Sequence, residues 1–297
     1  MTSGVFRRLF ERVAPHDAPE AAEAGVVAVA SGKGGTGKSF FATSLAIELS
    51  QSMRVVLVDC DYGLGSDHLL LGTSPRTTLR DVIAGRVPAV EALVDTVYGP
   101  ALLPGGSGVS AMVEMADAEL AALAHALGEL AGQADQLVLD LGAGISPQVV
   151  LTLLAAHQIV LVTNPDIAAL TDAYALVKCL ARQATPPPIG VVVNRVTGGD
   201  DMGARTFAKL ADVARRFSGS ELHYLGDVPD DPVVTQRRLG QAPLVASHPQ
   251  CAVATAIAAI ARRLHRFGGG LGRRPMSPRS DLASRWRSLI PRRRHRF

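Results

Sequence analysis

The sequence predicts an α/β fold in which helices cover both faces of a doubly wound, mostly parallel sheet. Six short runs rich in Val, Ile and Leu recur along the chain, and segments with helical patterns separate them. A parallel sheet that is covered on both faces needs strands of this kind, because neither side of such a strand meets water. The predicted strands are residues 26–31, 54–59, 136–141, 158–164, 189–196 and 223–229.

Helical segments of the right length lie between the predicted strands. A crossover between parallel strands needs a dozen or so residues, and these segments meet that requirement. They are residues 38–50, 112–130, 147–156, 167–182 and 201–216, and an apolar helix at 251–264 follows the last strand. The alternation of the two element types predicts an α/β architecture. Prolines and glycines interrupt residues 72–108, for which we predict no regular element.

The chain divides into three parts by composition. Residues 1–24 form an N-terminal extension, 25–267 a globular α/β domain, and 268–297 a basic, flexible tail that contains a short amphipathic segment. With 297 residues, of which 47% are apolar, the chain can bury a large core in one domain.

Several classes of protein are excluded by what the sequence contains. Its apolar runs are much shorter than the roughly 20 residues of a membrane-spanning helix, and its start lacks a secretory signal pattern. The three cysteines, Cys60, Cys179 and Cys251, are far apart in sequence, which favours neither a disulfide framework nor a metal knuckle. We therefore expect a cytoplasmic protein, with reversible membrane association through its tail.

The C-terminal tail carries most of the positive charge. Residues 262–297 contain twelve arginines and one acidic residue, so they carry a charge of +11 in a chain whose net charge is +3. Within 281–290, four apolar residues share one face of a possible helix: Leu282, Trp286, Leu289 and Ile290. Such a segment favours an anionic membrane as the partner of residues 281–297. A nucleic acid and a merely solvated tail are the alternatives.

One glycine-rich loop carries the clearest functional signal. Residues 32–39 read GKGGTGKS, directly after a predicted strand and directly before a predicted helix, which is the context of a phosphate-binding P-loop. Glycines let backbone N–H groups approach phosphate oxygens, the lysine Lys38 reaches the β- and γ-phosphates, and the Ser39 hydroxyl holds Mg²⁺. The predicted nucleotide-binding residues of the loop are Gly32, Lys33, Gly34, Gly35, Thr36, Gly37, Lys38, Ser39 and Phe40.

Three aspartates follow apolar runs at the expected carboxyl edge of the sheet, where open α/β sheets bind their ligands. Asp59 and Asp61 end the second predicted strand, and Asp140 lies near the end of the third. Together with Ser39 they are the candidate Mg²⁺ ligands. For Asp59, the alternative is that its side chain only caps the following turn.

The second lysine of the loop, Lys33, resembles the deviant P-loop of the MinD and ParA family of ATPases. The resemblance implies that Lys33 reaches the phosphates of a partner subunit in an ATP-dependent homodimer. It also implies that Asp61 orients the attacking water, that Asp59 lies near Mg²⁺ and that Asp140 holds it through water. Lys33, Lys38 and Asp61 are thus the candidate catalytic residues. Asn194 and Pro229 would lie beside the adenine ring.

The resemblance extends over about residues 25–263 and is most specific to the FlhG or FleN branch, whose members set flagellar number and placement. The segments that carry it are DYGLGSDHLLLG, DLGAGIS and TNPDIAALTDAYALVK. It implies an ATP-hydrolysing dimeric switch, with ATP and Mg²⁺ as ligands and a regulatory protein as a further partner. A DNA- or cargo-partitioning ATPase of the ParA kind and a nucleotide-gated adaptor or transcriptional co-regulator are the alternatives.

Overall fold

The computed structural model describes residues 22–63, 65–106, 115–183, 186–199, 201–237, 240–272 and 274–275. Eight of its strands form one sheet, and two short strands near the ends of the chain form another. The strands are β1 Ala22–Glu23, β2 Gly25–Ala30, β3 Val55–Cys60, β4 Val94–Asp95, β5 Ala101–Leu103, β6 Gln136–Leu141, β7 Gln158–Thr163, β8 Ile189–Val196, β9 Leu222–Pro229 and β10 Arg274–Pro275.

The large sheet has the order β4-β5-β3-β6-β2-β7-β8-β9, and every pairing in it is parallel except that of β4 with β5. In β3 and β6, Asp59 lies directly opposite Asp140. This register brings the last residues of adjacent strands to the same edge of the sheet, next to the loop that follows β2.

Helices pack on both faces of the sheet, and the alternation of side chains along the strands divides the core between them. In β2, Val26 and Ala28 belong to one apolar layer, while Val27 and Val29 belong to the other. The helices are α1 Lys38–Leu49, α2 Asp67–Leu70, α3 Leu79–Ile83, α4 Asp117–Ala131, α5 Pro147–Ala155, α6 Ile167–Ala181, α7 Met202–Ser218, α8 Pro232–Thr235, α9 Leu244–Ser247 and α10 Ala252–Arg266. Helices α4 to α7 cover the first layer, and α1, α9 and α10 cover the second.

The predicted doubly wound α/β fold is confirmed, with all six predicted strands in place to within one or two residues. The predicted helix at 112–130 begins at Asp117 in the described part of the chain. Residues 72–108, for which no element was predicted, contribute α3 and the two strands β4 and β5 that extend the sheet at one edge.

Hydrogen bonds with the domain involve residues on the outer side of both predicted boundaries, 25 and 267. Strand β1 pairs antiparallel with β10, which brings the two ends of the described chain together. Two buried glutamines form hydrogen bonds with residues 267–272, which precede β10. The Gln158 side-chain nitrogen donates to the carbonyls of Phe267 and Gly270, each at 2.7 Å. The Gln136 side-chain oxygen accepts from the Gly272 N–H at 3.0 Å. The amphipathic segment at 281–290 lies outside the described residues.

Within the described residues, no helix combines the length and the apolar character that crossing a membrane requires.

We predict that Gln158→Leu destabilises the domain by about 1–3 kcal/mol, because it removes two hydrogen bonds and leaves backbone carbonyls without their donor. Urea unfolding measures the loss, and limited proteolysis is expected to cut more readily after residue 267. Gln183→Leu is the matched control, since Gln183 is exposed. Equal unfolding midpoints for wild type and Gln158→Leu would show that the glutamine does not hold this segment.

Candidate nucleotide-binding site

The glycine-rich loop connects β2 to α1 in a conformation that only glycine adopts easily. Gly35 and Gly37 have positive φ angles of 78° and 87°. A side chain at Gly37 would place its Cβ 2.2 Å from the Asn194 amide nitrogen, and one at Gly32 would place it 2.1 Å from the backbone carbonyl carbon of Asp172 in α6. The loop is therefore packed against two neighbouring elements, while Gly34 and Gly35 remain exposed.

Asn194, near the end of β8, is hydrogen-bonded to the phosphate loop. Its amide nitrogen donates to the Thr36 carbonyl at 2.7 Å. Asn194 also lines a small cavity of about 50 Å³ together with Phe40 and Pro229, so Asn194 and Pro229, the two residues predicted to lie beside the base, are brought together. Arg195, which lines the same cavity, is the only described residue other than glycine with a positive φ angle, 56°.

Lys38 and Asp140 form a buried ion pair at the centre of the site. Their Nζ and Oδ1 atoms are 2.7 Å apart, and the Lys38 ammonium also donates to the Ser39 hydroxyl at 3.3 Å. Only 7% of the lysine and 1% of the aspartate side chain is exposed. The lysine predicted to bind phosphate, the hydroxyl predicted to hold Mg²⁺ and the β6 aspartate Asp140 thus lie close together.

Asp140 also belongs to a cluster of three buried carboxylates. Asp59, Asp67 and Asp140 each offer an oxygen within 4.8 Å of the others, a grouping that suits a metal ion. Asp59 also accepts hydrogen bonds from the backbone N–H groups of Asp61 at 3.1 Å and Asp67 at 3.2 Å. It therefore fixes the loop after β3 as well as contributing charge to the site, so the capping role and the metal role are both compatible with its position.

The electrostatics of this carboxylate cluster oppose ionisation. Burial raises the pKa of Asp59 to about 7, and the charge of Asp140 adds to the rise. Burial also raises the pKa of Asp67 and of Asp140, although the Lys38 ammonium opposes the rise in both. For Lys38, burial acts to lower the pKa, but the charge and hydrogen bond of Asp140 outweigh it and the pKa is raised. The site thus keeps its lysine charged and carries more carboxylates than one ammonium can neutralise.

Asp61 lies just beyond the end of β3, between this cluster and the loop after β6. Its Oδ1 accepts from the Gly63 N–H at 3.2 Å, and a Cβ built on Gly142 would lie 3.8 Å from that same oxygen. Gly144, in the same loop, donates its N–H to the Ser31 carbonyl at 3.0 Å. The loop after β6 thus contacts both the predicted water-positioning residue and the start of the phosphate loop.

Lys33 is paired within its own chain. Its Nζ lies 3.0 Å from Oδ1 of Asp166, with 32% of the lysine and 49% of the aspartate side chain exposed. Asp166 is also the N-cap of α6, because it accepts from the Ala169 N–H at 2.8 Å. Ile167, the next residue, is 86% exposed, so an ion pair and an apolar side chain stand side by side on this surface.

Sequence reasoning missed two residues of this site. Asp67 lies in DYGLGSDHLLLG, one of the segments that carry the family resemblance, but its sequence spacing does not show that it packs close to Asp59. Asp166 precedes a predicted helix, which marks it as a cap and not as the partner of a lysine 133 positions away.

The residues present fit a nucleotide triphosphate with Mg²⁺. Both side-chain oxygens of Asp67 and Oδ2 of Asp140 are buried without a hydrogen-bond partner among the described residues, and they belong to a cluster of carboxylates, the groups that Mg²⁺ prefers. The exposed glycines at the tip of the loop leave room for phosphates, since a Cβ built on Gly34 or Gly35 would meet no atom within 4 Å.

A family model described as ParA, NUBPL iron-transfer P-loop NTPase, matches residues 23–265. The chain belongs to the ParA/MinD family of P-loop NTPases. It is 34% identical over 258 residues to the antiactivator FleN of Pseudomonas aeruginosa, which covers 86% of this chain and 90% of that protein. The predicted resemblance to the MinD and ParA family is confirmed.

Two further relatives of this ParA/MinD-family chain bear on the site. The flagellum site-determining protein YlxH of Helicobacter pylori is 31% identical over 212 residues, which are 70% of each chain. The septum site-determining protein MinD of Pyrococcus horikoshii, whose structure contains Mg-ADP, superposes with a TM-score of 0.67 at 25% identity and covers 82% of this chain and 97% of that one. The MinD protein shares the fold of this chain, and its structure shows the ligand that this fold holds in a relative.

We predict that the nucleotide-free protein loses stability between pH 6 and 8 through Asp59. Because its pKa in the folded protein is about 7, well above that of a free carboxyl, the folded state holds an extra proton in this range. The contribution is complete below the pKa of the unfolded chain and is lost as the pH rises through 7. Over these two pH units it is on the order of 1 kcal/mol.

Thermal unfolding at the two pH values, in EDTA, measures this difference for wild type, Asp59→Asn and the exposed control Asp117→Asn. The difference is expected to shrink only in Asp59→Asn. The same difference in all three proteins would contradict the assignment.

Proposed function

We propose that this protein is an ATP-binding and ATP-hydrolysing switch that forms a homodimer around its nucleotides and acts in the spatial organisation of the cell. Flagellar number or placement and division-site placement are the processes that its relatives' names suggest. Hydrolysis is slow by itself and is stimulated by a regulatory protein partner.

The observation that carries the proposal is the second lysine in an otherwise complete phosphate loop. Lys38, Ser39 and Asp140 suffice for a nucleotide site within one chain. Lys33 is not part of this contact group: its ammonium is on the outer side of the loop, paired with an exposed aspartate. A lysine in this position is available to the phosphates of a second subunit, where it neutralises transition-state charge as an arginine finger does.

The proposed chemistry divides among few residues. Lys38 binds the β- and γ-phosphates, Ser39 with Asp59, Asp61 and Asp140 holds Mg²⁺ directly or through water, and Asp61 orients the attacking water. Asn194, Phe40 and Pro229 bind the base. Mg²⁺, when bound, neutralises phosphate charge. Lys33 of the partner subunit completes the site, so that hydrolysis depends on dimerisation.

The tail provides a second contact for the switch. We propose that residues 281–297 bind anionic lipid in the dimer, because two weak anchors on one particle bind much more tightly than one. Strand β10, which pairs with β1, is the last described element before this tail. A nucleic acid is the competing partner of the same arginines.

We predict that ATP with Mg²⁺ converts wild type into a dimer, that Lys33→Ala binds ATP but does not hydrolyse it, and that Lys38→Ala does not bind it. Size-exclusion chromatography with light scattering and an ATPase assay make the measurement. Lys209→Ala is the control, since Lys209 is exposed on α7. A wild type that binds ATP, stays monomeric and does not hydrolyse it would contradict this prediction and leave either a partner-dependent ATPase or an adaptor.

We also predict that Asp166→Asn favours the active dimer. Asparagine keeps the N-cap of α6 but removes the charge that holds Lys33 in its own chain. An exposed pair of this kind contributes about 0.2–1 kcal/mol. Because a symmetric dimer breaks the pair in both subunits, the protein concentration for half-dimerisation in ATP is expected to fall by roughly 2- to 30-fold. Asp201→Asn, which breaks the exposed pair with Arg205, is the control. A higher half-dimerisation concentration in Asp166→Asn would contradict the restraining role of this pair.

A further inference from the structure

Asp67 is a buried acid with no role in the function proposed so far. It is the first residue of α2 and is fully buried, and neither of its carboxyl oxygens has a hydrogen-bond partner among the described residues. Its backbone N–H, and not its side chain, makes the hydrogen bond to Asp59. The carboxyl group therefore contributes nothing to the local fold that an uncharged group of the same shape would not contribute.

The carboxyl group of Asp67 is also in an unfavourable electrostatic environment. Two other carboxylates, Asp59 and Asp140, lie within 4.8 Å of it. Of the described lysines and arginines only Lys38 is buried, and its short contact is with Asp140. A buried carboxyl without a partner costs stability, so the position is explained better by a bound ligand than by packing.

Nucleotide binding increases this imbalance. In a P-loop the lysine turns to the β- and γ-phosphates. Once Lys38 is engaged there, the three carboxylates share no buried cation among the described residues. A divalent cation beside the phosphates would restore the balance, and its water ligands are the hydrogen-bond donors that the two oxygens of Asp67 lack.

We propose that Asp67 is a positioning residue for the divalent cation, to which it is linked through hydrogen bonds from the cation's water ligands. This inference rests on the proposed nucleotide-dependent function and adds a residue to it. Such outer-shell partners change metal affinity by roughly 10- to 100-fold when they are removed.

Asp67→Asn separates this role from a structural one. The substitution keeps the size of the side chain and the backbone hydrogen bond and removes only the charge. In nucleotide-free protein in EDTA it is expected to leave the melting temperature equal to or above that of wild type, because the carboxyl group has no hydrogen-bond partner among the described residues whose loss would cost stability. With a fluorescent ATP analogue, binding in EDTA is expected to be unchanged, while the MgCl₂ concentration for half-maximal binding is expected to rise by about tenfold or more.

Asp117→Asn is the matched control, because Asp117 also begins a helix but is exposed. A Mg²⁺ requirement of Asp67→Asn equal to that of wild type, or a lower melting temperature of the nucleotide-free variant, including failure to fold, would overturn the proposal for Asp67. Wild type that does not bind the analogue at any MgCl₂ concentration would instead overturn the proposed function itself, and with it this inference.

Discussion

The buried ion pair between Lys38 and Asp140 is the interaction on which the rest of the site depends. A buried ammonium is tolerated only beside a carboxylate, and the parallel register of β3 and β6 supplies two, Asp59 and Asp140, at one level. The phosphate loop must then stay within reach of that edge. Asn194 holds it there through the Thr36 carbonyl, and Gly32 permits the close approach of α6. Asn194 and Gly32 thus position the phosphate loop and also take part in the packing between the loop and its neighbouring elements.

Without a ligand, the cluster of Asp59, Asp67 and Asp140 is electrostatically unfavourable. Burial raises the pKa of all three aspartates of the cluster, and among the described lysines and arginines only Lys38 is buried beside them. The loops that carry Asp61 and Gly144 touch this region and the start of the phosphate loop. We propose that a change in charge at the cluster is transmitted through these loops to the surface where Lys33, Asp166 and Ile167 lie. This connection is the physical basis on which we propose that nucleotide state and dimerisation are coupled.

Much of the fold could be predicted from the sequence because its signals are local. The buried strands are continuous apolar runs, and GKGGTGKS requires a strand before it and a helix after it. The edge strand β4 and its neighbour β5 could not be predicted, since segments of two or three residues among prolines show no periodicity. Asp67 reaches the cluster only because Gly65 and Gly105 let the chain pass close to Asp59. The pairing of Lys33 with Asp166, and the order that Gln136 and Gln158 impose on a glycine-rich segment, depend on contacts between distant parts of the chain.

The most direct test of the central claim is a mixing experiment between two inactive variants. The Lys33→Ala subunit keeps Asp61, the proposed water-positioning residue, but supplies no lysine to its partner. The Asp61→Ala subunit supplies Lys33 to its partner but lacks Asp61 in its own site. If the lysine acts across the dimer, an equal mixture recovers about a quarter of the wild-type ATPase rate, because half of the dimers are mixed and each has one complete site. If the mixture stays as inactive as the two variants alone, although both bind ATP and dimerise, Lys33 does not act in trans and the account is wrong.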